Sequence, residues 1–232
     1  MHFLAWNLCQ RRAMPALASV VAANAPKLLM LQEAVRPLGW IGDAVGAAVP
    51  GEQWGSWLLA REGTLTPIAV PEYTGWLTGA TWIHGAHRVA CFSLHAPSGT
   101  DESYVAECLK MVDLIDREVG RTAPVVIGGD FNFKSFGERA ENDAPANTKE
   151  ELQALAQFDD RGYAVAWRSA NHGAPLPQTL RWSRNRLTPY HCDGFLVRGL
   201  GITSCKVLPT ENIGFPSDHD PVLVELVPAG AA

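Results

Sequence analysis

The chain has 232 residues, of which 47% are hydrophobic and 19% charged, with a net charge of −5 and a pI of about 5.8. This length and composition favour one globular domain over residues 1–232. The acidic balance provides no overall positive field for nucleic acid, which argues against an architectural DNA-binding protein. A nuclease remains compatible with it, because a local groove can still be positive.

The cysteines and the N-terminal segment indicate where in the cell the protein is expected. Five cysteines are far apart, with no zinc-ligand or redox spacing: Cys9, Cys91, Cys108, Cys192 and Cys205. This pattern favours reduced thiols in the cytoplasm. The first residues lack the basic and long apolar regions of a signal peptide, and no window reaches the roughly 18 apolar residues of a membrane span. We expect a soluble cytoplasmic protein with no membrane contact, and no protein partner is predicted.

The first part of the chain predicts a β-α-β unit. Residues 3–6 predict a short strand, the alanine-rich segment 13–23 a helix, and the apolar run 27–31 a buried strand. Such an opening favours parallel neighbouring strands. Residues 40–82 hold five of the eight tryptophans and predict strands and loops. Their rings are expected mostly in the core, with base stacking as the alternative.

Strands and two helices follow in the remaining sequence. Residues 81–94 predict a hairpin around 84–87, whose second arm leads to His95. Apolar residues at i, i+3 and i+4 predict a helix over 101–119, and a second helix is predicted over 148–157. Residues 124–127, 194–197 and 222–227 predict further strands.

Eight polar residues stand beside these strands. They are Asn7, Glu33, His95, Asp130, Asn132, Asp193, Asp218 and His219. The ends of strands are where α/β proteins bind metals and phosphates. A histidine between two aspartates is a costly choice for a structural turn, because each polar group needs a partner beside the core. Taken alone, Asn7 is better explained as a helix cap, and Glu33 and His95 are equally well explained as ordinary strand-end residues. Together they predict one site.

Six segments, in this order, resemble the endonuclease/exonuclease/phosphatase superfamily of metal-dependent phosphoesterases. The segments are Trp6-Asn7, Leu31-Gln32-Glu33, Leu94-His95, Gly129-Asp130-Phe131-Asn132, His191-Cys192-Asp193 and Ser217-Asp218-His219-Asp220-Pro221. They span residues 6–221, almost the whole chain. The resemblance implies an α/β fold, namely a four-layer α-β-β-α sandwich of two packed mixed β-sheets flanked by helices, with the site at one end of the sheets.

The chemistry and the resemblance together suggest metal and catalytic roles. Hydrolysis of a phosphoester needs a divalent cation and an activated water in line with the leaving group. Glu33 is expected to hold Mg²⁺, with Mn²⁺ as a substitute, and Asn7 to complete its shell of ligands. The resemblance implies that Asp130 positions or deprotonates the water and that Asn132 donates to the phosphate.

The resemblance also implies roles for the remaining four residues. His219 is expected to touch a phosphate oxygen, with Asp193 bonded to its other ring nitrogen so that the imidazolium is favoured. Asp218 is expected near the metal. His95 stands where the family places a phosphate-contacting or proton-donating His or Tyr.

Two features bear on the substrate. Repair endonucleases of this family have an aspartate where this chain has Cys9, and a thiol is a poor ligand for Mg²⁺. The one basic and aromatic cluster contains Arg181, Trp182, Arg184 and Arg186. It is either a substrate-binding loop that grips backbone phosphates, with Trp182 against a base or sugar, or a solvated turn.

The sequence therefore predicts a Mg²⁺-dependent phosphodiesterase that hydrolyses nucleic acid or nucleotides by in-line water attack, with DNA or RNA as candidate substrates. The alternative enzyme is a phosphatase or phosphodiesterase of small phosphorylated metabolites or lipid headgroups, which would use the same catalytic residues. A non-catalytic binding module on the same fold is disfavoured, because no catalytic position is lost.

Overall fold

The computed structural model describes residues 1–97, 102–138, 145–182 and 187–230. Within these ranges the strands are β1 (His2–Asn7), β2 (Leu28–Ala34), β3 (Ala44–Gly46), β4 (Gly55–Ala60), β5 (Thr64–Ile68), β6 (Leu77–His84), β7 (His87–His95), β8 (Val125–Asp130), β9 (Ala164–Val165), β10 (Asp193–Arg198), β11 (Leu200–Val207) and β12 (Val222–Pro228). The helices are α1 (Met14–Asn24), α2 (Tyr104–Val119), α3 (Lys149–Asp160) and α4 (Ala166–Ala170). Pro71–Tyr73 and Glu211–Ile213 form short 3-10 turns.

The strands form two mixed six-stranded sheets. The first sheet has the order β11-β12-β1-β2-β4-β3 and the second the order β5-β6-β7-β8-β10-β9. Each has one parallel pair at its centre, β1 with β2 and β7 with β8, and the other neighbours are antiparallel. Because parallel strands end at the same edge, Asn7 and Glu33 come together in one sheet and His95 and Asp130 in the other.

Three apolar clusters hold the layers together. Phe3, Met30, Trp82 and Phe195 belong to the cluster between the two sheets. A second cluster packs α1 on the outer face of the first sheet. A third packs α2 and α3 on the outer face of the second sheet. The result is the predicted four-layer α-β-β-α sandwich.

The predicted helices are present with shifted ends. Ser103 caps α2, whose predicted first residue, Asp101, lies outside the described residues. Thr148 and Glu151 form a capping box at the start of α3, which extends beyond the predicted end at residue 157 to Asp160. In the described part of the chain, no helix is long and apolar enough to cross a membrane. All five cysteines are free thiols, as the spacing predicted.

Three elements of the structure have no counterpart in the sequence prediction: β9, α4 and β11. β9 and α4 contain two and five residues and are too short for a periodic pattern. β11 carries a bulge between Ile202 and Ser204, which breaks the alternation by which a strand is recognised.

Candidate active site

A cleft of about 430 Å³ opens at the edge of the sandwich where β1, β2, β7 and β8 end. Its walls include six of the eight polar residues predicted at strand ends: Glu33, His95, Asp130, Asn132, Asp218 and His219. The other two, Asn7 and Asp193, are buried directly behind and are hydrogen-bonded to Asp130 and His219. The structure therefore brings all eight residues together.

Asp193 holds the ring of His219. The Nδ1 atom of His219 lies 2.9 Å and 3.1 Å from the two carboxylate oxygens of Asp193 and donates to them. The opposite ring nitrogen, Nε2, lies 3.7 Å from Oδ2 of Asp130. Asp193 begins β10 and stands opposite Asp130, which ends β8. This register places the histidine between the two carboxylates.

The loop that presents His219 is fixed by its neighbours. The Ser217 hydroxyl donates to the Asn7 carbonyl at 2.7 Å and accepts from the His219 backbone N–H at 3.1 Å. Asp220 accepts from the backbone N–H and hydroxyl of Thr210 and is paired with Arg181. Ser217 and Asp220 thus hold the loop, while Asp218 and His219 line the cleft.

The two histidines of the cleft differ in charge. Burial alone would lower the pKa of His219, but the carboxylates of Asp193 and Asp130 outweigh it and raise the pKa to about 10. Burial lowers the pKa of His95 to about 4, against the opposing effect of Asp130. Burial likewise raises the pKa of Asp130, although His219 opposes this. At neutral pH, His219 is therefore an imidazolium and His95 a neutral ring.

Asn7 joins two carboxylates. Its side-chain amide nitrogen donates to Oδ2 of Asp130 at 2.9 Å and to Oε1 of Glu33 at 3.2 Å. Its side-chain oxygen accepts from the backbone N–H of Cys9 at 3.0 Å. Glu33 accepts a second bond, 2.6 Å long, from the backbone N–H of Gln10. The amide nitrogen of Asn7, rather than its oxygen, therefore faces the carboxylates.

The backbone is strained at two of the site residues. Glu33 has φ +50° and Asn132 has φ +54°, values that cost non-glycine residues about 1–3 kcal/mol. Next to Asp130, Gly129 has φ +154°, and a Cβ there would lie 1.9 Å from the carbonyl oxygen of Leu94. Only glycine fits this position, which explains the second glycine of the Gly128-Gly129-Asp130 segment.

Residues 4–219 match the model of the endonuclease/exonuclease/phosphatase family. The chain belongs to this family. Its members are phosphoester hydrolases of the nuclease and phosphatase type. Among curated proteins, no sequence matches the chain.

Solved structures share the fold of this family at low sequence identity. An AP endonuclease from Archaeoglobus fulgidus is 14% identical with a TM-score of 0.72, over 97% of this chain and 98% of that one. A 3′ phosphatase, NExo from Neisseria, bound to a product DNA hairpin, is 18% identical with a TM-score of 0.68, over 97% and 98%. The endonuclease domain of TRAS1, a telomere-specific non-LTR retrotransposon, is 15% identical with a TM-score of 0.68, over 100% and 99%.

The family typically depends on a divalent metal, and the cleft offers a possible acidic and histidine site. Ligand atoms of Asp130, Asp193 and His219 lie within 4.8 Å of one another. Both oxygens of Asp193 already bind His219, so oxygen ligands for a hard cation are more accessible on Glu33 and Asp130. These two carboxylates share one neutral donor, the amide of Asn7. The donor set therefore fits a divalent cation bound through oxygen. The roles of Glu33, Asn7 and Asp218 as its ligands stay predictions.

Several residues of the cleft wall were not predicted from the sequence. They are Gln10, Trp54, Trp76, Tyr104, Phe133, Lys134, Leu180, Tyr190 and Cys192. Trp54 directly precedes β4 and Trp76 directly precedes β6. Because β4 and β6 run antiparallel to β2 and β7, they start at the edge where β2 and β7 end. The strand pairing, and not a local motif, is the signal that locates these two rings.

The basic cluster is only partly described. Trp182 lines the cleft with 41% of its surface exposed, and its ring centroid lies 6.3 Å from that of Tyr190. Arg181 lies outside the cleft wall and pairs with Asp220. Arg184 and Arg186 lie outside the described residues. Substrate binding by these residues stays a prediction.

Proposed function

We propose that this chain is a divalent-metal-dependent phosphodiesterase, with Mg²⁺ as the cation and nucleic acid or nucleotides as the substrate. The main supporting observation is the relation between His219 and Asp130. An imidazolium held by Asp193 and a carboxylate held by Asn7 lie 3.7 Å apart in one open cleft. Hydrolysis by in-line attack needs a cationic group that donates to the phosphoryl oxygens and a base that accepts the proton of water. The imidazolium and the carboxylate supply these two functions.

We assign Asp130 to the attacking water. Its Oδ1 atom accepts from the backbone N–H of Asn132 at 2.9 Å, and its Oδ2 atom accepts from Asn7. Both bonds fix the carboxylate before substrate binds. Burial raises the pKa of Asp130, which makes its carboxylate a better acceptor for the proton of water.

We assign His219 to a non-bridging phosphate oxygen. Its Nε2 atom is directed to the cleft, and Asp193 keeps the ring charged, so the imidazolium donates to charge that grows in the transition state. Asn132 is assigned to the same phosphate. Mg²⁺ held by Glu33, with Asn7 and Asp218 nearby, would offset phosphate charge and lower the pKa of a bound water.

Aromatic rings on two flanks of the cleft support a nucleotide substrate. Trp54 and Trp76 pack edge to face at 5.7 Å, and Trp76 lies 5.1 Å from His95, on the side of β4 and β6. Trp182 and Tyr190 stand on the side of β10. Flat rings on both sides of a catalytic centre suit bases on both sides of a phosphate. A small phosphorylated metabolite would use at most one flank.

A panel of substrates tests the proposal. The purified protein is assayed with Mg²⁺, Mn²⁺ or EDTA on plasmid, single-stranded oligonucleotide, bis-p-nitrophenyl phosphate and p-nitrophenyl phosphate. We expect hydrolysis of the diesters, loss of activity in EDTA and little activity on the monoester. A preference for the monoester would instead favour a phosphatase of small metabolites. No hydrolysis of any substrate would leave the binding module as the explanation.

A further inference from the structure

A second cavity adjoins the catalytic cleft. It has a volume of about 360 Å³ and is lined by Cys9, Arg12, Arg181, Phe215 and the segment 216–218. Asp218 lines both cavities, so the two cavities are neighbours that share this residue. The residues come from the turn before α1, the loop after Leu180 and the loop before β12. None of the roles assigned above uses this cavity.

Two arginines line this cavity, Arg12 and Arg181, and their side chains have different partners. Arg181 is fixed: one terminal nitrogen pairs with Asp220, and its guanidinium carbon lies 5.0 Å from the centre of the Phe215 ring. Its backbone N–H donates to the Asp218 carbonyl at 2.8 Å. Arg12 is exposed and forms no ion pair with any residue that the structure describes. Arg12 therefore adds a positive charge that no carboxylate of the described chain neutralises.

Cys9 makes the cavity less negative than an aspartate would. The Cys9 thiol lines the cavity together with Asp218. An aspartate at this position would place a second carboxylate beside Asp218 and repel any anion that enters. With a thiol at this position, the charged side chains that line the cavity are two arginines, Arg12 and Arg181, and one carboxylate, Asp218.

The backbone around the cavity is strained. Of the seven non-glycine residues with positive φ in the described chain, two line it: Cys9 (+48°) and Phe215 (+51°). Gln10, Glu33 and Asn132 line the catalytic cleft instead. Such conformations cost about 1–3 kcal/mol each and concentrate at functional sites. Phe215 is one of these strained residues. Its side chain is 48% exposed, and its ring packs against the guanidinium of Arg181.

We propose that this cavity binds a second phosphate of the substrate, adjacent in the chain to the phosphate that is hydrolysed. Arg12 and Arg181 bind its oxygens, and the Phe215 ring keeps the Arg181 guanidinium in place. The inference rests on the proposed phosphodiesterase function and makes it more specific. It implies that substrates with two consecutive phosphodiester groups are preferred over substrates with one.

Two short thymidine oligomers, TpT and TpTpT, provide a direct test. They carry one and two phosphodiesters, and in TpTpT one phosphate can lie in the catalytic cleft while the other occupies the cavity. We expect the wild type to show a kcat/KM on TpTpT about tenfold above that on TpT, the gain of about one charge-assisted contact. The Arg12→Gln variant should lose most of this preference. Cys9→Asp should lose it as well, because it adds a carboxylate.

Arg11→Gln is the matched control, since it removes the same charge from the neighbouring exposed residue, which does not line the cavity. It should keep the preference for TpTpT. Equal preferences in the Arg11→Gln and Arg12→Gln variants would overturn the inference and leave the phosphodiesterase proposal intact. Absence of any hydrolysis by the wild type would overturn the phosphodiesterase proposal itself.

A binding measurement separates the two proposals. The affinity for fluorescent oligothymidylate is measured by anisotropy in EDTA over a series of salt concentrations. Removing one phosphate contact should lower the slope of log K against log salt by about 0.7 for Arg12→Gln and leave it unchanged for Arg11→Gln. Identical slopes for both variants would refute the phosphate site whether or not the protein hydrolyses the oligomer.

Discussion

Nε2 of His95, at the end of β7, and Nε2 of His219, in the loop before β12, lie 3.8 Å and 3.7 Å from the same oxygen of Asp130, Oδ2. They differ in charge because only His219 has a carboxylate on its far nitrogen. The Nδ1 atom of His95 has no hydrogen-bond partner in the described part of the chain, and its ring packs against Trp54 and Trp76. One carboxylate is therefore flanked by a cationic and a neutral ring, which supports a different role for each histidine.

Of the hydrogen-bonded pair His219 and Asp193, replacement of His219 should lower activity more. His219→Ala is expected to lower kcat about 10²–10³-fold, with an intact circular dichroism spectrum, because it removes the charge that faces the phosphate. Asp193→Asn should be milder. The double variant should be little worse than His219→Ala, since Asp193 acts through the ring. Fully multiplicative losses would show that the two residues act independently.

The pH profile of Asp193→Asn gives a second readout. Asp193 helps to keep the pKa of His219 raised to about 10, so the wild type should retain its imidazolium through neutral and mildly basic pH. Without the carboxylate this pKa falls, and activity that needs the imidazolium is lost at a lower pH as the solution becomes more basic. An unchanged basic limb of the kcat profile would contradict this assignment.

Glu33 should control metal affinity. Glu33→Gln keeps the size of the side chain but removes its charge, and we expect it to weaken Mn²⁺ binding, measured by electron paramagnetic resonance, and to lower activity by orders of magnitude. Glu52→Gln is the matched control, because Glu52 is exposed and does not line the cleft. If the chelated wild type keeps its rate in metal-free buffer, the metal mechanism is wrong.

Trp54 should contribute to substrate affinity. Trp54→Ala is expected to raise KM for a single-stranded oligonucleotide about tenfold, since stacking of one base contributes about 1–3 kcal/mol. Trp54→Phe should restore most of the affinity, because a flat ring is retained. A KM that rises equally in both variants would indicate that the indole positions His95 instead of contacting a base.

His191 should make the protein less stable in acid. Burial lowers its pKa to about 4, although its Nδ1 atom bonds to the Pro177 carbonyl at 2.8 Å. The unfolded chain therefore takes up a proton below about pH 6.5 that the folded protein resists, and stability falls as the pH drops from 6.5 towards 4, by up to about 3 kcal/mol. His191→Gln should show a smaller fall in Tm over this range. The exposed His172→Gln serves as the control and should behave as the wild type.

The sequence allows the polar residues of the site to be predicted because each of them adjoins an apolar run. Asn7, Asp130 and Asp193 stand at the ends of β1, β8 and β10, and the β-α-β opening correctly predicts the parallel pairing of β1 with β2. Local patterns of hydrophobicity and the family motifs are sufficient to predict these site residues and this strand pairing. They also give the layer order once the family is recognised.

Contacts between distant segments could not be predicted in this way. Arg181 was predicted to lie either in a loop that grips backbone phosphates or in a solvated turn. Its ion pair with Asp220 joins residues 39 positions apart and depends on the fold. The place of Trp54 in the cleft depends on the antiparallel pairing of β4 with β2, which no local pattern encodes. The same holds for the cavity beside Cys9, which three separate loops enclose.

Two hydrogen bonds of the site join one sheet to the other. Asn7 on the first sheet donates to Asp130 on the second, and His219, from the loop before β12, donates to Asp193 on β10. The catalytic residues are thus divided between two sheets, which the apolar cluster between them and a few buried hydrogen bonds, such as that from Gln32 to Ser93, keep aligned. At Gly128 the packing in this cluster is so close that a Cβ would lie 2.5 Å from the Phe195 ring and 2.6 Å from the Met30 sulfur. A slight slippage of one sheet against the other, far from the cleft, would therefore abolish turnover while the secondary structure is still intact, so heat should inactivate this protein before it unfolds.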